Sequence, residues 1–84
     1  MANKPMLYAL STCSHCRRAK EFLDECQVDY DLIDVDLCQG EKRQTVIDEV
    51  KKYNPRLTFP TLVIGEVVIV GFKRDEIAKA LDSE

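Results

Sequence analysis

Two short apolar runs, TLVI (61–64) and VVIV (67–70), constrain the fold of this chain more than any other feature. Both runs are rich in β-branched residues, and only Gly65-Glu66 separates them, which is the length of a tight hairpin connection. The spacing therefore predicts two antiparallel strands. Because 84 residues can hold only a small core, we expect a single domain spanning residues 1–84.

Upstream of the hairpin, strand patterns alternate with amphipathic helical patterns. The expected elements are strands at 6–10 and 28–36 and helices at 13–25, 42–53 and 73–82. With the hairpin, the order is β-α-β-α-β-β-α. A strand–helix–strand start implies a parallel pair with a right-handed crossover. The predicted fold is therefore α/β, with a four-stranded mixed sheet flanked by three helices.

The periodicity also predicts which side chains face the core and where the helices end. The inward residues are Ala19, Phe22, Leu23 and Cys26 in the first helix, Val28, Tyr30 and Leu32 in the second strand, Val46, Ile47, Val50 and Tyr53 in the second helix, and Ile77, Ala78 and Leu81 in the third. Ser11 and Thr12 supply capping chemistry before the first helix, and Asn54-Pro55 ends the second.

Composition excludes several classes of partner. The net charge is only −3 and both signs are mixed along the chain, so no basic surface favours nucleic acid or an anionic membrane. No apolar run approaches the ~20 residues of a membrane span, and the N-terminus lacks a secretory signal. We therefore expect a cytoplasmic protein, in which four cysteines indicate redox chemistry or metal binding.

The motif STCSHC (11–16) holds the first two cysteines, Cys13 and Cys16. Cys13 is expected at the turn from strand to helix, and Cys16 about one turn inside the helix. Free backbone N–H groups and the positive end of the helix dipole favour the thiolate of Cys13, which is the nucleophilic form. A Cys-x-x-Cys pair beside a βαβ pattern is typical of a reactive redox site.

The same spacing also occurs in half of a zinc site, so a metal clip is the main alternative. Zinc usually needs a second ligand pair, but Cys26 and Cys38 are twelve residues apart and the single histidine lies inside the first motif. Cys26 lies roughly 20 Å along the helix from Cys13, too far to be its ligand or disulfide partner. Because Cys26 also lies on the apolar stripe of this helix, we expect it to be a small core residue. Cys38 follows a strand in a polar turn. We predict no metal site.

His15 and Thr12 are candidate modulating residues because they adjoin Cys13. In the first helical turn, a protonated His15 side chain facing Cys13 would stabilise the thiolate and make the disulfide more oxidising. The alternative is that His15 is a solvent-exposed spacer.

Two further segments are candidates for substrate binding. Thr58-Phe59-Pro60 opens a strand, and the residue before a proline is extended, so its backbone is able to pair with a substrate's main chain. In VGFKRDEI (70–77), Gly71 permits close backbone approach and Asp75 suits the start of the last helix. Taken separately, these segments are also consistent with an ordinary strand start and an ordinary helix start.

The STCSHC motif after the first strand, the Thr58-Phe59-Pro60 segment and the glycine turn before the last helix follow one another along the chain. With these three features in this order, the chain resembles the glutaredoxin branch of the thioredoxin-like superfamily. The resemblance implies a thioredoxin-like fold, a cis Pro60 and thiol-disulfide exchange. It implies that Cys13 attacks a disulfide and that Cys16 resolves the mixed disulfide. It further implies a groove lined by Thr58, Phe59 and Pro60, with Gly71 and Asp75 at its rim.

Two departures bear on the electron donor. Glutaredoxins typically carry a lysine, which helps hold a glutathione carboxylate, where this chain has Leu10, and a Gly-Gly pair where it has Val70-Gly71. The segment GFKRDEI (71–77) is similar to the corresponding turn of NrdH-type redoxins, which thioredoxin reductase reduces and which supply ribonucleotide reductase. Arg74 stands where those proteins tend to have proline.

The sequence thus predicts a small monomeric dithiol oxidoreductase that reduces protein or glutathione mixed disulfides. It predicts no tightly bound cofactor, with glutathione as a possible reductant. The expected partners are disulfide-containing proteins and either glutathione or thioredoxin reductase. The alternatives are an NrdH-type electron donor and, in a different class, a metal-binding or redox-regulated interaction module built on the Cys-x-x-Cys pair.

Overall fold

The computed structural model describes residues 4–83 and confirms the predicted architecture. The elements are β1 (Met6–Ala9), α1 (Ser14–Glu25), β2 (Asp31–Asp34), a short 3₁₀ helix (Val35–Leu37), α2 (Gly40–Tyr53), β3 (Thr61–Ile64), β4 (Val67–Val70) and α3 (Arg74–Ser83). The strand order in the sheet is β2-β1-β3-β4, with β1 and β2 parallel and the other pairs antiparallel. Within residues 4–83, no helix is long and apolar enough to cross a membrane.

The hairpin forms as its sequence predicts. Ile64 pairs with Val67, which leaves Gly65 and Glu66 as the connection. Gly65 has a φ of 58°, a left-handed conformation that glycine adopts without steric cost. β3 then pairs with β1, so the hairpin completes a mixed sheet around the central strands.

Alternation along the strands divides the core between the two faces of the sheet. Leu7 and Leu62 point to the face covered by α1 and α3, where Leu23 and Ile77 pack against them. Tyr8 points to the opposite face, which α2 covers. Full burial of a leucine such as Leu23 contributes about 1.5–3 kcal/mol of stability. This layering holds the end of β1 beneath the start of α1.

The second strand is shorter than its alternating pattern predicts. β2 covers only Asp31–Asp34, and the chain then turns into the 3₁₀ helix. Leu32 is 42% exposed and not buried, because β2 is an edge strand and its outer side has no neighbouring strand. Val28 and Tyr30 do pack partly against the core, although they precede the strand.

Cys26 is exposed, whereas its position on the apolar stripe predicts a core residue. It is the exposed C-cap of α1, and Gln27 adopts a left-handed φ of 57° that turns the chain away from the helix. Tyr53 is likewise 44% exposed, because α2 ends there, although its ring lies 6.5 Å from that of Tyr8. In both helices the apolar pattern continues into the last turn, where no neighbouring element within residues 4–83 covers the side chain, so Cys26 and Tyr53 remain exposed.

The helix ends differ from the expected ones by one or two residues. α2 begins at Gly40, and α3 runs from Arg74 to Ser83. On α3, Ile77 is buried as expected, while Ala78 and Leu81 are half-buried. Ala80 is buried although the sequence pattern did not select it.

Candidate active site

The sulfur of Cys13 caps helix α1. Cys13 is the N-cap residue, with extended φ and ψ of −85° and 123°, and its Sγ accepts a hydrogen bond of 3.3 Å from the backbone N–H of Cys16. A serine or threonine hydroxyl oxygen usually fills this position. The expectation that Ser11 and Thr12 cap the helix is therefore wrong, because the chain is still in a turn at those two residues.

The backbone of Leu10 holds both cysteines. Its N–H donates to the Sγ of Cys16 at 3.5 Å, and its carbonyl oxygen accepts from the N–H of Cys13 at 3.2 Å. Cys16 is fully buried, whereas Cys13 is partly exposed. Only the first sulfur of the pair is therefore open to a protein-sized substrate.

The surroundings of Cys13 lower its thiol pKa on balance. Desolvation by partial burial is the largest single effect and raises the pKa, but four favourable interactions outweigh it. These are hydrogen bonds from the Cys16 thiol and from the backbone N–H groups of Cys16 and His15, and the positive charge of Lys20. A thiol with a lowered pKa carries more of the nucleophilic thiolate at neutral pH.

Cys16 shifts in the opposite direction. The pKa of its thiol is raised to about 12, chiefly by burial, with the hydrogen bond to Cys13 and the charge of Cys13 acting in the same direction. At neutral pH Cys16 therefore keeps its proton and shares it with Cys13. The two sulfurs are unequal, one ready to attack and the other protonated.

Lys20 is the cation whose charge lowers the pKa of Cys13. Its Nζ lies 3.2 Å from Oδ1 of Asp34, and the two side chains are only 25% and 18% exposed, so solvent screens this pair less than a surface pair. Both Lys20 and Cys13 line an open groove of about 480 Å³. The other lining residues are Ser11, Thr12, Ser14 and Arg17.

Asp36 anchors the turn that precedes Cys13. Its carboxylate accepts from the backbone N–H of Ser11 at 2.9 Å and from the Ser11 hydroxyl at 2.5 Å. These hydrogen bonds from Ser11 lower the pKa of Asp36. Since the folded-state pKa lies below the unfolded one, the stabilisation is present at neutral pH and is lost as the pH falls through the lowered pKa.

The second predicted segment lies at the same end of the sheet. The Phe59–Pro60 peptide bond is cis, as the family resemblance implies. Thr58 is exposed, Phe59 is half-buried, and Phe59 packs on the same core cluster as Cys13. Thr61, which follows this segment, pairs with Tyr8 near the end of β1, so β3 starts beside the strand that leads to Cys13.

The third predicted segment touches the second through its backbone. The N–H of Gly71 donates to the carbonyl oxygen of Pro60 at 2.8 Å. Gly71 has a φ of 85°, which requires glycine, and a Cβ built there meets no atom within 4 Å. Asp75 is exposed in the first turn of α3 and takes no part in the hydrogen bond between Gly71 and Pro60.

His15 and Thr12 are both exposed. The backbone N–H of His15, which any residue at this position supplies, contributes to the lowered pKa of Cys13. Thr12 lines the groove beside Cys13. A modulating role for the two side chains stays a prediction.

Comparison with known proteins identifies the family. The glutaredoxin family model matches residues 6–69, which is more than half of the chain. The chain belongs to the glutaredoxin family. Members of this family are thiol-disulfide oxidoreductases and usually carry no tightly bound cofactor, and this activity class is the one the sequence predicts.

Solved glutaredoxin-like structures resemble the chain closely. The crystal structure of Methanosarcina acetivorans methanoredoxin is 39% identical, with a TM-score of 0.89, over 94% of this chain and 84% of that chain. The glutaredoxin of Archaeoglobus fulgidus is 33% identical, also with a TM-score of 0.89, over 96% of this chain and 87% of that chain.

The NrdH-redoxin of Escherichia coli shares the fold alone. It is 21% identical, with a TM-score of 0.73, over 92% of this chain and 93% of that chain. The comparisons therefore favour the glutaredoxins over the NrdH-redoxins as relatives of this chain.

Three polar residues around the glutaredoxin site were not selected from the sequence. Lys20 lies seven residues after Cys13, about two helical turns, and this spacing is the one signal that could have placed it on the same side of α1. Asp34 and Asp36 gave no such signal, because their partners come from segments distant in sequence.

We predict that Lys20→Met raises the pKa of Cys13, because it removes the cation and leaves the Asp34 carboxylate unpaired. Alkylation of Cys13 by iodoacetamide at pH 7, followed at that site by mass spectrometry across a pH series, should slow by about two- to fivefold. Arg18→Met is the matched control and should leave the rate unchanged, since Arg18 is an exposed cation of the same helix that does not contribute to the pKa of Cys13. A slowed Arg18→Met and an unchanged Lys20→Met would contradict this assignment.

Proposed function

We propose that this glutaredoxin reduces protein disulfides through a dithiol cycle of Cys13 and Cys16. The observation that supports the proposal is the inequality of the two thiols: Cys13 is partly exposed with a lowered pKa, and Cys16 is buried with a raised pKa. A nucleophile needs the first environment, whereas a resolving thiol must stay protonated until the mixed disulfide exists.

In the first step, the Cys13 thiolate attacks one sulfur of the substrate disulfide. A Cys13–substrate disulfide forms, the substrate S–S bond breaks, and the other substrate sulfur leaves as a thiolate that takes up a proton. Forming this bond removes the negative charge of Cys13, which is one cause of the raised pKa of Cys16. The pKa of Cys16 therefore falls at the stage when it must react.

In the second step, Cys16 loses its proton and attacks the sulfur of Cys13. The Cys13–Cys16 disulfide forms, and the second substrate sulfur leaves with the electron pair of the broken bond. The backbone N–H of Leu10, 3.5 Å from the Cys16 sulfur, stabilises the transient charge. The substrate has gained two electrons, and an external thiol or reductase returns the pair to the dithiol.

For substrate binding, we propose that Thr58, Phe59 and Pro60 form one wall of a longer substrate groove. This segment does not line the cavity that Cys13 and Lys20 line, and the proposed groove continues from that cavity. The exposure of Thr58 and the packing of Phe59 on the core cluster that Cys13 also contacts support this assignment. An extended substrate segment would pair there with the protein backbone. Gly71, with open space above it, would form the rim, and Asp75 would lie at its outer end.

Substitution of each cysteine distinguishes their proposed roles. Cys13→Ser should abolish disulfide reduction, because a serine hydroxyl is not ionised at neutral pH. Cys16→Ser should stop at the first step and accumulate a covalent Cys13–substrate disulfide, which non-reducing electrophoresis and intact-mass measurement detect. A Cys13→Ser protein that reduces a protein disulfide at the wild-type rate would refute the assignment.

We further propose that this protein uses glutathione poorly, because Leu10 stands where glutaredoxins carry a lysine. The aliphatic side chain of Leu10 carries no charge to attract a carboxylate, and it is half-buried against the core cluster beneath α2. Leu10→Lys keeps the backbone contacts to both cysteines and should lower the KM for glutathione several-fold in an assay coupled to glutathione reductase.

Wild-type turnover with NADPH and thioredoxin reductase is the matched comparison for Leu10→Lys. It should equal or exceed turnover with glutathione, and Leu10→Lys should leave it unchanged. A wild-type KM for glutathione that Leu10→Lys does not lower would contradict the proposed role of position 10.

The alternative from another class is a binding module in which the Cys-x-x-Cys pair holds a metal or switches partner affinity. Within the described residues 4–83, no group of three or more His, Cys, Asp or Glu side chains converges as a metal site. Metal analysis of protein purified without chelator, together with thiol titration of Cys13, separates the two functions. Stoichiometric metal with a masked Cys13 thiol would favour the binding module.

A dithiol reductase of this kind requires a reducing compartment, so we propose the cytoplasm as its location. We also propose that it acts as a monomer, because each chain carries both cysteines of the cycle. Disulfide-containing proteins are its proposed substrates.

A further inference from the structure

The side chain of Asn54 lies at the centre of a buried hydrogen-bond network. Asn54 is the C-cap residue of α2 and is only 5% exposed. Its Nδ2 donates to the carbonyl oxygen and to the hydroxyl of Thr58, both at 2.9 Å, and to the hydroxyl of Thr61 at 3.1 Å. The hydroxyl of Thr61 in turn donates to the carbonyl oxygen of Thr58 at 2.8 Å.

This network replaces regular secondary structure between α2 and β3. Residues 55–60 belong to no helix or strand, and Leu57 has a left-handed φ of 54°, which is unfavourable for a leucine. The carbonyl oxygen of Asn54 also accepts from the N–H of Leu57 at 3.0 Å. Asn54 therefore fixes the course of this loop with both its backbone and its side chain.

The loop that Asn54 fixes contains the proposed substrate segment. Thr58 is tied directly to Asn54, and Thr61, at the other end, is tied both to Asn54 and to Tyr8 in β1. The Thr58–Pro60 segment is thus held at each side by the same buried amide. Its backbone position relative to the strand that leads to Cys13 is therefore set by this side chain together with the hydrogen bond from Gly71 to Pro60.

We propose that Asn54 is a positioning residue that holds the backbone of the Thr58–Pro60 segment ready to pair with the main chain of a peptide disulfide. This inference rests on the proposed function of the segment as a wall of the groove. Asn54 acts through Thr58 and Thr61 and does not touch the reacting sulfurs. Its loss should therefore weaken the binding of substrates that have a peptide backbone and leave the exchange chemistry intact.

The test compares Asn54→Ala with wild type on two disulfides, with dithiothreitol as the reductant. One substrate is an extended disulfide-bonded peptide, and the other is bis(2-hydroxyethyl) disulfide, which has no peptide backbone. The KM for the peptide should rise about tenfold, while the KM for bis(2-hydroxyethyl) disulfide should stay within about twofold. The kcat for both substrates and the alkylation rate of Cys13 should not change.

Val50→Ala is the matched control for a general loss of stability. Val50 is fully buried one turn earlier on the same helix, in the core cluster against which Phe59 also packs. Its truncation destabilises α2 and the packing under the loop but removes none of the hydrogen bonds to Thr58 and Thr61. It should change neither KM. Thr61→Val, which keeps a β-branched residue in β3 but removes the hydroxyl, should raise the peptide KM by a smaller factor than Asn54→Ala.

The outcomes separate this inference from the proposed function. An unchanged peptide KM in Asn54→Ala, or an equal rise for both substrates, overturns the positioning role while wild-type turnover still supports the proposed function. If Asn54→Ala does not fold, Thr61→Val decides, and an unchanged peptide KM in that variant overturns the role. A wild-type protein that reduces neither disulfide contradicts the proposed function, and with it this inference.

Discussion

The site depends on the hydrogen bond from the backbone N–H of Cys16 to the sulfur of Cys13. This contact begins helix α1, fixes the separation of the two cysteines and stabilises the negative charge of Cys13. A helix N-cap is a position of unsatisfied N–H donors, and a hydroxyl there forms a stable but unreactive cap. With a thiol in this position, the structure that stabilises the helix also activates the nucleophile.

The carboxyl end of β2 supports this cap from outside the motif. Asp34 holds the ammonium group of Lys20 beside the groove of Cys13, and Asp36 holds the backbone and hydroxyl of Ser11 before it. Because β1 and β2 are parallel, their carboxyl ends meet at the same edge of the sheet. The parallel pairing therefore places these two carboxylates where they can shape the active-site turn.

Local patterns predicted the architecture, whereas long-range contacts determined the details that the sequence did not reveal. The hairpin at 61–70 followed from β-branched runs and a two-residue connection, which need no information about distant residues. Leu32 and Cys26 were misplaced because exposure at a sheet edge or a helix end depends on where the neighbouring elements stop. The sequence pattern did not identify Lys20 as a site residue, because its partner Asp34 lies 14 residues further along the chain. It did not identify a role for the Asn54 side chain either, because the partners of Asn54 lie four and seven residues away in a loop without regular periodicity.

The central claim is that the two thiols of the motif have opposite reactivity in the reduced protein. The most direct measurement is the pH dependence of alkylation at each cysteine of the wild-type protein, resolved by peptide mass spectrometry. Cys13 should react at neutral pH with a pKa below that of an ordinary cysteine, and Cys16 should stay unmodified until strongly alkaline pH. Equal titration of the two, or faster alkylation of Cys16, would contradict the account.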